Sequence, residues 1–449
     1  MQPSATDYHR VAVEYRPIAA LKTDPKNPRT HTPRQIRQIA RSIQSFGFNV
    51  PVLVDATLNV IAGHGRLLAC QHLGWREVPT IALEHLSAAQ AKAFAIADNR
   101  LTENSEWDER LLAEQLKELS LLDLDFSLEV TGFHMGEIDL KIESLSSEVA
   151  AGEDPADTIA VSSAPAVSRL GDLWELGNHH VLCGDAMQES ALRTLLGRKK
   201  AAMVFVDPPY NVRIDSNVSG LGAIRHREFA MASGEMSESQ FTSFLARVFT
   251  LLSSHTVDGS IHFVCSDWRH LGEMLAAGRQ AYAELKNLCV WAKDNAGMGS
   301  FYRSQHELIF VFKSGGGHHR NNIQLGQFGR NRTNVWRYPC ASSFSKSGEE
   351  GNLLALHPTV KPVALVADAI MDVSARGDLV LDAFLGSGTT VIGAERTGRR
   401  CYGLELDPLY LDTIIRRWQA YSGESARHLG TNLTFKQIES ERQVADAAQ

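Results

Sequence analysis

Two apolar runs that each end on an aspartate and a conformationally restricted loop constrain this 449-residue chain more than any other feature. The first, Ala202-Met203-Val204-Phe205-Val206, leads into Asp207-Pro208-Pro209-Tyr210. The second, Leu379-Val380-Leu381, leads into Asp382 and then Phe384-Leu385-Gly386-Ser387-Gly388, 174 residues after Tyr210. Unbroken apolar runs predict strands covered on both faces, as in a parallel sheet flanked by helices. Sheets of that kind hold ligands just beyond the carboxyl ends of their strands. Further strands are predicted at Ser260 to Val264, Leu308 to Phe312 and Cys401 to Leu404, separated by helical patterns. A hairpin precedes them, Leu173-Trp174-Glu175-Leu176 and His179 to Cys183 around a Gly177-Asn178 turn. The expected fold of this half is a doubly wound, Rossmann-like α/β domain.

The tetrad suits one kind of chemistry. Two prolines fix the backbone and remove two N–H donors, leaving a rim of acceptors, the Asp207 carboxylate and the Pro208 carbonyl. Tyr210 adds a flat face. An exocyclic amine on a planar base is a poor nucleophile because its lone pair is delocalised into the ring. Two acceptors on its hydrogens draw it towards a pyramidal geometry and stabilise the positive charge that develops during transfer. Tyr210 would stack on a base extruded from a duplex. A proline turn with an incidental aspartate would also account for the tetrad alone; the strand before it, Asn211 after it and the second loop favour the chemical role.

The second loop reads as strand, glycine turn and helix start. Gly386 and Gly388 let a ligand approach the backbone, and a helix beginning near Thr389 points N–H groups at a carboxylate. Glu405 follows Gly388 by 17 residues, at the end of the next apolar stretch, the spacing at which an acid binds ribose hydroxyls. A nicotinamide site lacks its third glycine, since Thr390 leads on to Val391, and a phosphate loop of the Gly-Lys-Ser/Thr type is missing. S-adenosylmethionine, with a carboxylate and a ribose but no phosphate, fits best. A turn that only packs a helix remains an alternative, and leaves Glu405 without a role.

The net charge of −7 is uneven. Residues 103–157 hold 16 acidic and 3 basic residues, which leaves 36 acidic and 42 basic elsewhere, a net +6. Nucleic acid is therefore not excluded as a partner. Six cysteines stand singly with no C-x-x-C, which points away from a metal site or a disulfide framework and towards a reducing cytoplasm. No apolar run is long enough to cross a membrane, and Met1 to Arg10 lack an apolar signal segment.

Residues 8–143 form the first expected domain. Ile36, Ile39, Ala40, Ile43 and Phe46 recur at helical spacing up to Gly47, Val50 to Val54 reads as a strand, and Ala88 to Leu101 and Asp108 to Leu122 read as helices. Residues 144–168, rich in Ser, Ala and acids, are expected to be a flexible linker. The second domain should span 169–422, and 423–449 a tail without strong signal.

The hairpin, Gly184-Asp185, the tetrad, His357-Pro358-Thr359-Val360-Lys361-Pro362, the glycine loop and Glu405 occur in one order. As a set they resemble the permuted, beta-type N6-adenine or N4-cytosine DNA methyltransferases. That resemblance implies methyl transfer from S-adenosylmethionine to an exocyclic amine in double-stranded DNA, by base flipping. It assigns Asp207, Pro208, Pro209 and Tyr210 to catalysis. It assigns Asp185, Lys361, Asp382, Phe384, Gly386, Gly388, Thr389 and Glu405 to the cofactor, with Asp185 near the adenine and Lys361 beside the methionyl part. Asp at the tetrad's first position leans towards adenine, and Ser there towards cytosine. Asp185 could instead cap the helix from Glu189.

The N-terminal part resembles the ParB/sulfiredoxin-type domain, through Asn27-Pro28-Arg29, Ile39 to Gly47, Pro51-Val52-Leu53-Val54 and Gly63-His64-Gly65-Arg66-Leu67-Leu68-Ala69. The family's Gly-Glu-Arg-Arg has become Gly-His-Gly-Arg, which speaks against nucleotide hydrolysis. Arg66 on this turn could hold a phosphate, or the turn could simply lead into a buried helix.

Between Leu308 and Gly348 there is no acidic residue, against Lys313, Arg320, Arg330, Arg332, Arg337 and Lys346, with Asn and Gln interleaved. Arg reads guanine edges and Asn or Gln adenine edges. In the resembling family target recognition occupies this stretch, so 314–350 is the expected recognition region, with Arg320, Arg330, Arg332 and Arg337 on DNA and Phe328, Trp336 and Tyr338 propping the duplex. The loop after Asn211, with Arg213, Arg225, His226 and Arg227, is expected to order over the substrate. No pattern calls for an obligatory protein partner, and a homodimer is compatible with the sequence.

Overall fold

The structure, a computed structural model, describes residues 11–25, 27–145, 155–157, 165–211, 234–294, 296, 301–339 and 360–447. It divides into two compact units, Met1–Ser146 and Ser147–Gln449. Among the described residues no helix is long and apolar enough to cross a membrane.

The smaller unit is built on a four-stranded sheet of β1 (Val13–Pro17), β2 (Val52–Val54), β3 (Val60–Ala62) and β4 (Glu77–Ala82), in the order β1-β4-β2-β3. Helix Pro33–Phe46 packs its apolar stripe, with Ala40 and Ile43 buried, onto this sheet. Thr32 caps it by accepting from the Gln35 N–H, and Gly47, at φ 82°, ends it. Gly63, at φ 99°, turns the chain into helix His64–His72, whose Leu67, Ala69 and Cys70 are fully buried. A Cβ on Gly65 would lie 2.9 Å from His31, and Arg66 donates to the Pro51 carbonyl at 3.4 Å. The Gly63–Arg66 turn thus packs a buried helix, which favours that reading over a phosphate cradle. Helices Ala88–Glu103, Glu109–Leu121 and Met135–Ser144 follow.

The larger unit contains a ten-stranded sheet. Its strands are β5 (Leu173–Leu176), β6 (His179–Cys183), β7 (Ala201–Val206), β8 (Thr256–Ser266), β9 (Glu284–Ala292), β10 (His306–Lys313), β11 (Val335–Arg337), β12 (Leu379–Asp382), β13 (Arg400–Glu405) and β14 (Arg427–His428). The order is β11-β9-β10-β8-β7-β12-β13-β6-β5-β14, with β8, β7, β12, β13 and β6 mutually parallel and β10 antiparallel to both its neighbours. Two cores cover its two faces. Met203 and Phe205 of β7 point into one, beside helices Val363–Val373 and Pro408–Ser422. Ala201, Val204 and Val206 point into the other, beside helices Glu189–Leu196 and Glu238–Ser254. Burial on both sides is why β7 reads as unbroken apolar sequence.

The topology fixes where a ligand can sit. From β7 the chain crosses to β8 on one side, and from β12 it crosses to β13 on the other. Because β7 and β12 are neighbours, their following loops diverge and leave a crevice between them, the switch point of an open α/β sheet. Asp207 follows one strand and Asp382 ends the other.

Two expectations about the chain's organisation differ from the structure. Described parts of 144–168 pack into the larger unit: Asp157 accepts from Val363 N–H at 2.9 Å, and the Val167 and Ser168 N–H groups donate to the buried Asp412 carboxylate at 2.6 and 2.9 Å. Low apolar content hid this, because the contacts are made through backbone and acids. The stretch after Ser422 also folds back. β14 pairs with β5, Phe435 and Ile438 of helix Phe435–Ala447 enter the core, and Arg442 pairs with Asp172 at 2.5 Å.

Candidate active site

Beyond the carboxyl ends of β7 and β12 lies one pocket, lined by Phe205, Asp207, Val360, Lys361, Val366 and Asp382, and by Phe384, Leu385, Gly386, Ser387, Thr389 and Thr390 of the glycine loop and the helix after it. The two motifs on which the sequence argument turned therefore open into the same crevice. Of the tetrad, Asp207 lines the pocket, while Pro208 is buried and Pro209 and Tyr210 are half-buried.

The acid after β7 is held from both sides. Its Oδ1 accepts from the Tyr210 hydroxyl, and its Oδ2 from Lys361 Nζ at 2.5 Å. Lys361 also reaches Glu307 Oε2 at 2.9 Å, and Lys293 Nζ lies 2.5 Å from Glu307 Oε1. A line of alternating charges results, Lys293, Glu307, Lys361 and Asp207, with Lys361 and Glu307 almost fully buried. Burial opposes the charge on Lys361, but Asp207 and Glu307 outweigh it and raise its pKa above the ordinary lysine value. Burial likewise works against ionised Glu307, yet Lys361 and Lys293 hold it down at about 2. For Asp207 burial wins, with Glu307 adding to it, and its pKa rises.

The glycine loop is shaped by hydrogen bonds to acids. Asp382 accepts from Phe384 N–H at 2.9 Å and from the Thr390 hydroxyl at 2.6 Å. Glu405 accepts from Gly386 N–H at 2.8 Å and from Asp407 N–H at 2.9 Å. Gly388, at φ 82°, precedes helix Thr389–Thr397, and a Cβ there would meet Ile414 at 2.9 Å, so only glycine fits. From behind, buried Arg417 donates to the Ser387 carbonyl at 2.9 Å and to the Thr389 hydroxyl at 3.1 Å. Asp185 stands just beyond β6, next to Gly184, whose N–H donates to the Glu405 carbonyl at 2.9 Å. Its carboxylate accepts from Met187 N–H at 2.8 Å and closes its own turn, while Gln188 stands at the helix cap.

Burial pushes both Asp382 and Glu405 up to about 7 despite these hydrogen bonds. The folded chain then binds more protons than the unfolded chain between roughly pH 4 and 7. The stabilisation is full below about pH 4 and is lost as the pH rises through 7. Asp382→Asn should flatten that part of a plot of Tm against pH; an unchanged slope would contradict the assignment.

Several expected DNA contacts are made inside the protein instead. Arg330 pairs with Asp368 at 3.0 Å and with Asp372 at 2.8 Å, and Arg332 with the same two at 2.9 Å each. The side chains of Arg330 and Asp372 are each only 3% exposed. Arg332 also donates to the Tyr338 hydroxyl at 2.6 Å and lies over the Trp336 ring. Trp336 is buried against Phe263, and buried Asn322 donates to the carbonyls of Met371 and Ser374. This basic stretch is therefore clamped onto helix Val363–Val373, whose Asp368 and Asp372 lie well outside the acid-free window. Arg330, Arg332, Trp336 and Tyr338 are structural here, not free to grip a duplex. Arg337 is exposed on the edge strand β11 and Arg320 is half-buried. His357 to Thr359, Lys346 and the basic residues of 212–233 lie outside the described residues.

Comparison with known proteins agrees with this geometry. Residues 201–416 match the model described as DNA methylase, residues 2–100 the ParB N-terminal domain, and residues 110–170 the ParB-methyltransferase HTH domain. The last model runs across the end of the first expected domain and the expected linker. A ParB-like nuclease domain-containing protein of Escherichia coli K12, YnaK, is 40% identical over 81 residues, 18% of this chain and 93% of its own length. The type II methyltransferase M2.MboI of Moraxella bovis is 26% identical over 230 residues, 48% of this chain and 80% of its own. Among solved structures, the cytosine-N4-specific PvuII DNA methyltransferase superposes with a TM-score of 0.40 at 17% identity, covering 59% of this chain and 91% of that one. The chain joins a ParB N-terminal domain to a DNA methylase domain of the N6/N4 family, which occupies residues 201–416.

Proposed function

We propose that the chain transfers a methyl group to N6 of adenine at specific sites in double-stranded DNA, with S-adenosylmethionine as donor. The observation that carries this is the single pocket shared by the Asp207 side of the sheet and the Gly386–Thr390 loop. The residue set fits the donor: an open glycine loop, the amino end of a helix, a buried acid and no phosphate-binding lysine in the loop. Phe384, Gly386, Gly388 and Thr389 would hold it, with Asp382, Glu405, Asp185 and Lys361 around them. When bound, the donor supplies an electrophilic methyl group on a sulfonium. Asp207 and the Pro208 carbonyl accept from the base's amino group and stabilise the charge that grows on its nitrogen. Tyr210 supports the extruded ring.

Asp382 also gives a pH dependence. A cationic ligand favours the ionised acid, so donor affinity should tighten as the pH rises from about 6 to about 8, around the value near 7. Calorimetric titration across that range checks it; affinity that weakens with rising pH would contradict the placement. Exposed Arg337 is proposed to contact phosphate, so Arg337→Ala should lower the salt dependence of DNA binding by about one unit of slope.

The deciding experiment is incubation with labelled donor and genomic DNA, followed by digestion to nucleosides. Label in N6-methyladenine supports the reading, whereas label in N4-methylcytosine assigns the other member of the family's pair.

A further inference from the structure

Asp207 presents a difficulty for the function just proposed. It should accept from an incoming amino group, yet both its oxygens are engaged, one by the Tyr210 hydroxyl and the other by Lys361. Moving a buried ammonium off its carboxylate strands a charge in a poorly solvated place, which is costly unless another partner stands ready. Glu307 is that partner. It lies 2.9 Å from Lys361 Nζ, and the Tyr210 hydroxyl lies 3.4 Å from the same carboxylate. Both donors on Asp207 thus already have Glu307 as a second acceptor.

Resting on the amino-methyltransferase reading above, we propose that Glu307 is a positioning residue that takes over Lys361 when the target amine engages Asp207. Lys361 stays an ammonium throughout, so no proton is gained or lost; one hydrogen bond is exchanged between two carboxylates. Lys293, on the far oxygen of Glu307, keeps that carboxylate anionic and in place. Burial opposes the charge on Glu307, but its two lysines hold it ionised well below neutral pH. Of the other titratable groups near the cluster, Tyr210 and Cys265 are pushed upward by burial and stay neutral near pH 7, while Asp382, pushed by burial to about 7, feels both Asp207 and Lys361.

The test is a double-mutant cycle in the full chain with Glu307→Gln, Lys361→Met and both together. Single-turnover methyl transfer to DNA is read beside donor affinity and Tm. Glu307→Gln should slow transfer by roughly 10- to 100-fold, with donor affinity little changed. In the Lys361→Met background the same change should cost only about 2- to 3-fold, because the group Glu307 acts through is gone. Wild-type transfer in Glu307→Gln, or losses that multiply independently in the double variant, would overturn the proposal. Should Glu307→Gln not fold, Glu307→Asp serves in the same cycle, since it keeps the charge and shortens the reach to Lys361. A wild-type chain that methylates no DNA would sink the function itself, and is told apart by that control.

Discussion

Asp207→Asn is expected to lower methyl transfer to DNA by at least roughly 10²- to 10³-fold, the usual cost of removing one preorganised group that stabilises developing charge. Donor binding should stay within a few-fold of wild type, because Asn retains the shape of the pocket wall and the Gly386–Thr390 loop is held independently by Asp382, Glu405 and Arg417. Asn is the better probe than Ala. It leaves an acceptor for the Tyr210 hydroxyl, and Glu307 still neutralises Lys361. Single-turnover assay beside calorimetric donor titration separates the two effects. Transfer within about threefold of wild type would show that Asp207 does not act on the amine.

Arg330→Ala carries the second large effect, and it falls on stability. Removing one partner of a buried ion pair leaves the others uncompensated and typically costs about 3–5 kcal/mol. Arg330 pairs with both Asp368 and Asp372, so its loss leaves two carboxylates to Arg332 and the Tyr338 hydroxyl. Tm should fall by about 10 °C, while the salt dependence of DNA binding measured below the transition stays as in wild type. Exposed Arg337 on β11 provides the contrast, with little change in Tm. A stable Arg330→Ala chain with a shallower salt slope would restore Arg330 to the DNA interface.

The contrast between Arg330 and Asp207 shows what the sequence can and cannot convey. Asp207, Asp382 and Glu405 each follow or end an apolar strand whose carboxyl end faces the ligand edge, so a linear rule finds them. Glu307 escapes that rule because β10 runs antiparallel to β8, and its ligand end is its amino end. The signal was present: an acid directly before the apolar run Leu308 to Phe312. Lys293 directly follows the apolar run Leu288 to Ala292 that ends β9, but a single lysine beyond a strand gives no sign of the buried acid it will meet. The basic stretch misled for a different reason. Composition within a window cannot reveal that Asp368 and Asp372, on a helix beyond it, neutralise its arginines. The segments around Asp157 and after Ser422 were obscured in the same way, because long-range hydrogen bonds and one edge strand hold them, with little apolar periodicity.

A structure of the chain with sinefungin, a non-transferring analogue of the proposed donor, decides whether Asp207 and the glycine loop serve one reaction. The analogue should lie against Phe384, Gly386 and Thr389, with the amine that replaces the methyl group facing Asp207 across a gap that admits one planar base. A reacting nitrogen there would stand about 3–3.5 Å from the transferred carbon. An analogue bound elsewhere, or with that amine turned away from Asp207, would contradict the account.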